Sequence, residues 1–141
     1  MLEIIGIDFG LKRTGIAISD SNHIIATPLT TVDSSNLMEF LDKLIQQRGI
    51  SEIVLGFPSN LNGSESHVTQ NVLLLKEALE KNFATVKVFL QDERFTSKIA
   101  TQTISKIGTN KQNKDKGLVD QISATVILQD FLNGKKSKPF L

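Results

Sequence analysis

Apolar positions change their period twice along the chain. From Glu3 to Gly10 they run almost unbroken, with Ile4, Ile5 and Ile7 β-branched, and the run closes on Asp8-Phe9-Gly10. That pattern predicts a buried strand. Leu11-Lys12-Arg13 makes a short turn, and Thr14 to Ser19 reads as a second strand closed by Asp20-Ser21-Asn22. A third strand is expected over His23–Thr31, where Pro28 signals an edge position or a bulge. Turns this short predict an antiparallel meander.

The period then becomes helical. Ser34 and Ser35 are N-cap candidates, and Leu37, Phe40, Leu41, Leu44 and Ile45 recur at helical spacing until Gly49. Glu52 to Phe57 is a fourth strand, followed by turn chemistry from Pro58 to Gly63. A second helix is predicted over Glu65–Asn82 and a fifth strand over Val86–Gln91. Phe95–Ile107 is expected to be helical, Gly108–Lys116 a loop poor in apolar residues, and Leu118–Asn133 a closing apolar helix. The order is β-β-β-α-β-α-β-α-α. Helical crossovers make strands four and five parallel to strand one, so the class is α/β: a five-stranded mixed sheet flanked by helices. Residues 1–134 are read as a single domain and 135–141 as a basic tail.

Composition narrows the chemistry. At 141 residues with 40% hydrophobic content the chain suits one core. There is no Cys, which excludes disulfide frameworks, thiolate zinc sites, iron–sulfur clusters and thiol nucleophiles. A metal would need oxygen ligands or the two separated His residues. His23 and His67 are expected at the surface. The apolar run at Ile4–Ile7 is too short for a signal peptide, and no stretch approaches the roughly 20 residues of a spanning helix. A soluble, cytoplasmic chain with no membrane partner is the expectation.

The net charge of +1 hides an asymmetry. Residues 1–97 carry 8 Lys+Arg against 12 Asp+Glu; residues 98–141 carry 8 Lys against Asp115, Asp120 and Asp130. A basic region on a near-neutral chain hints at contact with a polyanion. A solubilising tail beside a polar loop would give the same count.

Three acids stand out by setting. Asp8 closes the first strand, Glu93 follows the fifth, and Asp120 lies in the first turn of the last helix. Parallel strands one and five deliver their ends to one sheet edge, the edge where open α/β sheets place their sites. Converging carboxylates need a cation, and carboxylate-only ligation suits Mg²⁺ or Mn²⁺. Each acid also has a plain alternative: a turn residue for Asp8, a surface pair with Arg94 for Glu93, and a helix-dipole partner for Asp120.

Ile5-Gly6-Ile7-Asp8-Phe9-Gly10 with Lys12-Arg13-Thr14-Gly15-Ile16-Ala17 resembles the opening of the YqgF family of RNase H-like proteins. Gly56-Phe57-Pro58 through Gly63-Ser64, Asp92-Glu93-Arg94-Phe95-Thr96-Ser97, and Lys116 to Leu132 around Val119-Asp120 are similar to that family's later motifs, in the same order. Its members are described as Holliday-junction resolvases and as nucleases that mature the precursor of small-subunit ribosomal RNA. The resemblance implies an RNase H-like fold, with Asp8, Glu93 and Asp120 as metal-binding catalytic acids holding one or two Mg²⁺ or Mn²⁺ ions and Asp8 as the bridging ligand. Resolvases of the wider superfamily carry an acid at the end of strand four and often another acid or His one turn past the final Asp. Here those positions are Gly56-Phe57-Pro58 and Ser123.

Donors for substrate phosphate are expected at Lys12 and Arg13 beside Asp8, at Arg94, at Asn60, Asn62, Gly63 and Ser64 after strand four, and at Lys106, Lys111, Lys114 and Lys116 before Asp120. Without Tyr or Trp there is no stacking ladder, so backbone and shape recognition is expected. The implied activity is an endonuclease on structured nucleic acid: the 5′ end of precursor 16S rRNA, or branched DNA, with ribosomal particles as further partners and a monomer or homodimer as the assembly. Two rivals share these residues. Gly6-Ile7-Asp8-Phe9-Gly10 also looks like the phosphate loop of actin and Hsp70 ATPases, which need two such domains. A non-catalytic ribosome-assembly or transcription-associated module would keep the fold without the chemistry.

Overall fold

A computed structural model of the chain describes residues 2–57, 67–92 and 116–137. Five strands form one sheet: β1 (Glu3–Phe9), β2 (Arg13–Ser19), β3 (Ala26–Asp33), β4 (Ile50–Phe57) and β5 (Lys87–Asp92). Their order is β3-β2-β1-β4-β5. The meander β1-β2-β3 is antiparallel, whereas β4 runs parallel to β1 and β5 parallel to β4. The helices are α1 (Leu37–Gln47), α2 (His67–Asn82) and α3 (Lys116–Ser137). The expected helix at 95–107 and all but the last residue of the expected loop at 108–116 lie outside the described residues; Lys116 is helical.

The apolar pattern explains the layering. β1 is central, and its Ile4, Ile5 and Ile7 are wholly buried. Alternation sends Ile5 and Ile7 into a core with Leu37, Leu41 and Leu44 of α1 and Val72 and Leu79 of α2. Ile4 joins Ala17, Val54 and the α3 residues Ala124, Ile127, Leu128 and Leu132 on the opposite face. Burying three isoleucines is worth of order 5–9 kcal/mol before chain entropy. A strand so anchored tolerates a carboxylate near its exposed end.

Small residues let α3 approach the sheet. A Cβ on Gly6 would come within 2.6 Å of Leu128 Cβ. Thr31 Oγ1 donates to the Gly117 carbonyl at 2.7 Å, Ala26 N–H donates to Gln129 Oε1 at 2.9 Å, and the rings of Phe89 and Phe131 lie 5.3 Å apart. These contacts lay α3 across the sheet from β3 to β5.

Several boundaries differ from expectation. β3 begins at Ala26 rather than His23, because the Asp20 carboxylate accepts backbone N–H bonds from Asn22, Ile24 and Ile25. That wrapped turn holds His23 at φ 59. Ser34 does not cap α1. It starts a short 3₁₀ turn over Ser34–Asn36, and its hydroxyl donates to the Gly10 carbonyl while meeting Thr14 Oγ1 at 2.8 Å. β4 starts two residues early, at Ile50, and α2 is described from His67, the first two residues of its expected span lying outside the described residues. The last helix passes through Gly134 to Ser137, so the first residues of the expected tail are helical. Pro28 lies on edge strand β3, beside a register irregularity opposite Ile16 and Ala17.

Candidate active site

The parallel strands β1, β4 and β5 end on one edge, at Phe9, Phe57 and Asp92. Asp8 is the penultimate residue of β1 and only partly exposed. Ile4 and Gly6 both face α3, so strand alternation puts Asp8 on that face as well.

Asp120 reaches the same place from the helix side. Asp8 is the cross-strand partner of Gly15, and the backbone of Asp120 packs directly on Gly15. One glycine therefore brings the first acid and the last acid, 112 positions apart in sequence, to one point on the sheet edge. The signal for this seat was a Gly inside a strand, which marks a close backbone approach.

Arg13 completes the described cluster. It shares the α3 face with Gly15 and Ala17, and its Nε lies 3.1 Å from Asp120 Oδ2. The Arg13 side chain is 40% exposed and that of Asp120 25%, so the pair sits at the rim. The Ser34 bonds to Gly10 and Thr14, together with Ser34 N–H donating to the Lys12 carbonyl at 2.9 Å, pin the turn that carries Lys12 and Arg13. Lys12 itself is exposed. Sequence reasoning placed Arg13 among the phosphate donors and missed its pairing with Asp120.

Ser123 lies one turn beyond Asp120 and is 1% exposed; its hydroxyl has no hydrogen-bond partner among the described residues. Most of the other expected site residues are not among those described. Glu93, which would follow β5 directly, lies outside the described residues, as do Asn60, Asn62, Gly63, Ser64, Arg94, Lys106, Lys111 and Lys114. Lys116 opens α3, and its backbone alone is described. His23 Nε2 sits 2.6 Å from the Leu2 carbonyl oxygen, at the opposite end of β1 from Asp8.

The donor set fits a divalent cation as far as it is described. Two acids come from neighbouring backbone positions at one sheet edge, and a guanidinium already occupies one oxygen of Asp120, so the place attracts positive charge. Among the described residues no group of three Asp, Glu or His is close enough to hold a metal. A third ligand would have to come from elsewhere in the chain.

Residues 2–134 match the family model described as "RuvX: Holliday junction resolvase". A Bacteroides fragilis protein named "putative pre-16S rRNA nuclease" is 40% identical over 137 residues, covering 96% of this chain and 99% of that one. A Flavobacterium johnsoniae protein of the same name has the same identity and coverage. Among solved structures, Thermus thermophilus RuvC in complex with a Holliday junction substrate superposes with a TM-score of 0.62 at 11% identity, over 98% of both chains. Fowlpox virus resolvase with Holliday junction DNA gives 0.58 at 15% identity, over 95% of this chain and 99% of that one. These two likenesses carry the fold, which is RNase H-like with the strand order expected from sequence.

Proposed function

The chain belongs to the RuvX (YqgF) family, and on that premise we propose that it is a divalent-metal-dependent endonuclease that hydrolyses phosphodiester bonds at the 5′ end of precursor 16S rRNA. The observation that supports the metal chemistry is the meeting of Asp8 and Asp120 over Gly15 at the C-terminal edge of the sheet. Asp8, Asp120 and, by sequence, Glu93 are the proposed ligands. Bound there, Mg²⁺ or Mn²⁺ would supply Lewis-acid chemistry, activating water and neutralising charge on a leaving oxygen.

The chain's own residues do the rest. The backbone of Asp8 is fixed by the central strand and that of Asp120 by its seat on Gly15, so neither backbone needs to move when substrate arrives. Lys12 stands exposed on the pinned turn, positioned to meet a phosphate of the substrate backbone. Its contribution would be sequence-independent and salt-dependent. Asn60, Gly63, Ser64, Arg94, Lys111, Lys114 and Lys116 are proposed to extend this phosphate track. Cytoplasmic ribosome assembly is the proposed setting. Among the described residues no helix is long and apolar enough to cross a membrane.

The names of the relatives at 40% identity favour precursor rRNA, while the description of the family model favours a four-way DNA junction. End-labelled precursor rRNA and a four-way junction, each incubated with Mg²⁺ or Mn²⁺ and with an Asp8→Asn control, decide between them. The proposal expects cleavage of the rRNA that depends on metal and is lost in Asp8→Asn. Cleavage of the junction alone would transfer the assignment to branched DNA. Binding of both without cleavage would identify a non-catalytic assembly module.

A further inference from the structure

The Arg13–Asp120 pair joins a proposed phosphate donor to a proposed metal ligand. The contact is a single Nε–Oδ2 approach of 3.1 Å at the rim of the sheet, so it lacks the two-toothed geometry that makes a guanidinium–carboxylate pair strong. A pair this exposed is held weakly. Backbone placement enforces it: Arg13 lies two residues from Gly15 on the same strand face, and Asp120 rests on Gly15. On the other side, Arg13 is the cross-strand partner of the exposed Asp33, so a second acid lies on the neighbouring strand when the guanidinium leaves the first.

We propose that Arg13 is a displaceable stand-in for the metal. Without a divalent cation its guanidinium neutralises Asp120; a cation bound at Asp8 and Asp120 expels it; and the freed guanidinium, beside Lys12, meets the substrate phosphate. The inference rests on the metal-dependent reading above. It adds that metal and nucleic acid bind cooperatively, because both select the same displaced position of one side chain. By linkage each must then raise the affinity of the other by the same factor. A cation that only contacts phosphate would not compete with the metal. A cation that only holds the fold would weaken both ligands when removed.

The test is Mn²⁺ binding by the full chain, read from the paramagnetic resonance of free Mn²⁺, with and without a phosphorothioate-backbone RNA hairpin. Displacing an exposed ion pair costs the metal about two- to fivefold in affinity. Arg13→Gln should therefore bind Mn²⁺ two- to fivefold more tightly than the native chain when RNA is absent, yet bind the hairpin more weakly. Its Mn²⁺ affinity should also respond less to added RNA. Arg13→Lys keeps the charge on a shorter side chain without the planar fork, and should fall between the two. It also serves as the second variant should Arg13→Gln melt early. Equal or weaker Mn²⁺ binding by folded Arg13→Gln, or an undiminished response to RNA, overturns the stand-in role alone. A native chain that binds no Mn²⁺ overturns both it and the metal-dependent reading.

Discussion

The peptide of Asp120 rests on the α-carbon of Gly15, with no room between them for a side chain. A methyl group at Gly15 would collide with the carbonyl carbon and oxygen of Asp120 and with the nitrogen of Gln121. All three are backbone atoms, so no rotamer change relieves the clash and the first turns of α3 must lift. Gly15→Ala is expected to lose about 1–3 kcal/mol of stability, the usual cost of overpacking.

Gly6→Ala gives the contrast that isolates the site. Its methyl would meet Leu128 Cβ at 2.6 Å and the Ala124 carbonyl at 3.0 Å, one to two turns further along α3. Both substitutions should lower the melting temperature. Turnover, measured where both variants remain folded, should fall much further in Gly15→Ala. Equal loss would mean that the position of Asp120 over Asp8 does not matter to the chemistry.

These glycines also show how far sequence reading reaches. β1 and the Asp8 near its end were legible because an isoleucine run leading to a carboxylate has few other readings, and the parallel placement of β4 and β5 followed from their helical connections. The Arg13–Asp120 pair was not legible: its members are 107 positions apart, and nothing local distinguishes Arg13 from its neighbour Lys12. Ser34 misled for a related reason. A hydroxyl before a helical run satisfies a capping pattern, but the Gly10 carbonyl and Thr14, brought close by β1–β2 pairing, took it first. Asp20 was legible as closing β2, but no local signal tells that its carboxylate also binds the Ile24 and Ile25 N–H groups and so delays β3 to Ala26. Gly134 suggested a helix end, yet α3 continues through it, and a Cβ there would meet nothing within 4 Å.

At the other end of β1, Glu3 and Arg48 form a two-toothed pair, with Nε–Oε1 at 2.7 Å and Nη2–Oε2 at 2.9 Å. The hydrogen bonds from Arg48 hold the Glu3 carboxyl below its ordinary range. A carboxyl depressed in the folded state adds stability above its unfolded value, about 4.3, and loses it as pH falls through the folded value. Arg48 is 43% exposed, so the contribution is about 0.5–1 kcal/mol. Glu3→Gln should unfold at lower denaturant than the native chain at pH 7. The two midpoints should converge once the pH has fallen below the folded value, and a gap that persists there would assign the effect to packing.

Ser123 offers a stability test inside the site. Its buried hydroxyl lacks a partner among the described residues, and such a group costs about 1 kcal/mol or more to desolvate. Ser123→Ala keeps most of the volume and removes the polar atom. The metal-free variant should melt roughly 3 °C higher than the native chain. A lower melting temperature would show that the hydroxyl is bonded by a part of the chain beyond the described residues.

Asp8 and Asp120 should act as one unit in catalysis. Asp8 comes from the central strand and Asp120 from a helix, but both meet over Gly15, so each is proposed to hold the same cation. Removing either should then abolish the one function they share. Asp8→Asn and Asp120→Asn are each expected to reduce turnover of precursor rRNA by at least about a hundredfold, and the double variant should be no slower than the worse single one. Their folds should differ less than their activities, since asparagine preserves the shape and Asp120 loses only a rim-exposed pair with Arg13. Single-turnover rates for the three variants, compared with their melting temperatures, check this directly. Rate losses that multiply in the double variant would show two acids acting in separate steps, and the shared cation site would have to be abandoned.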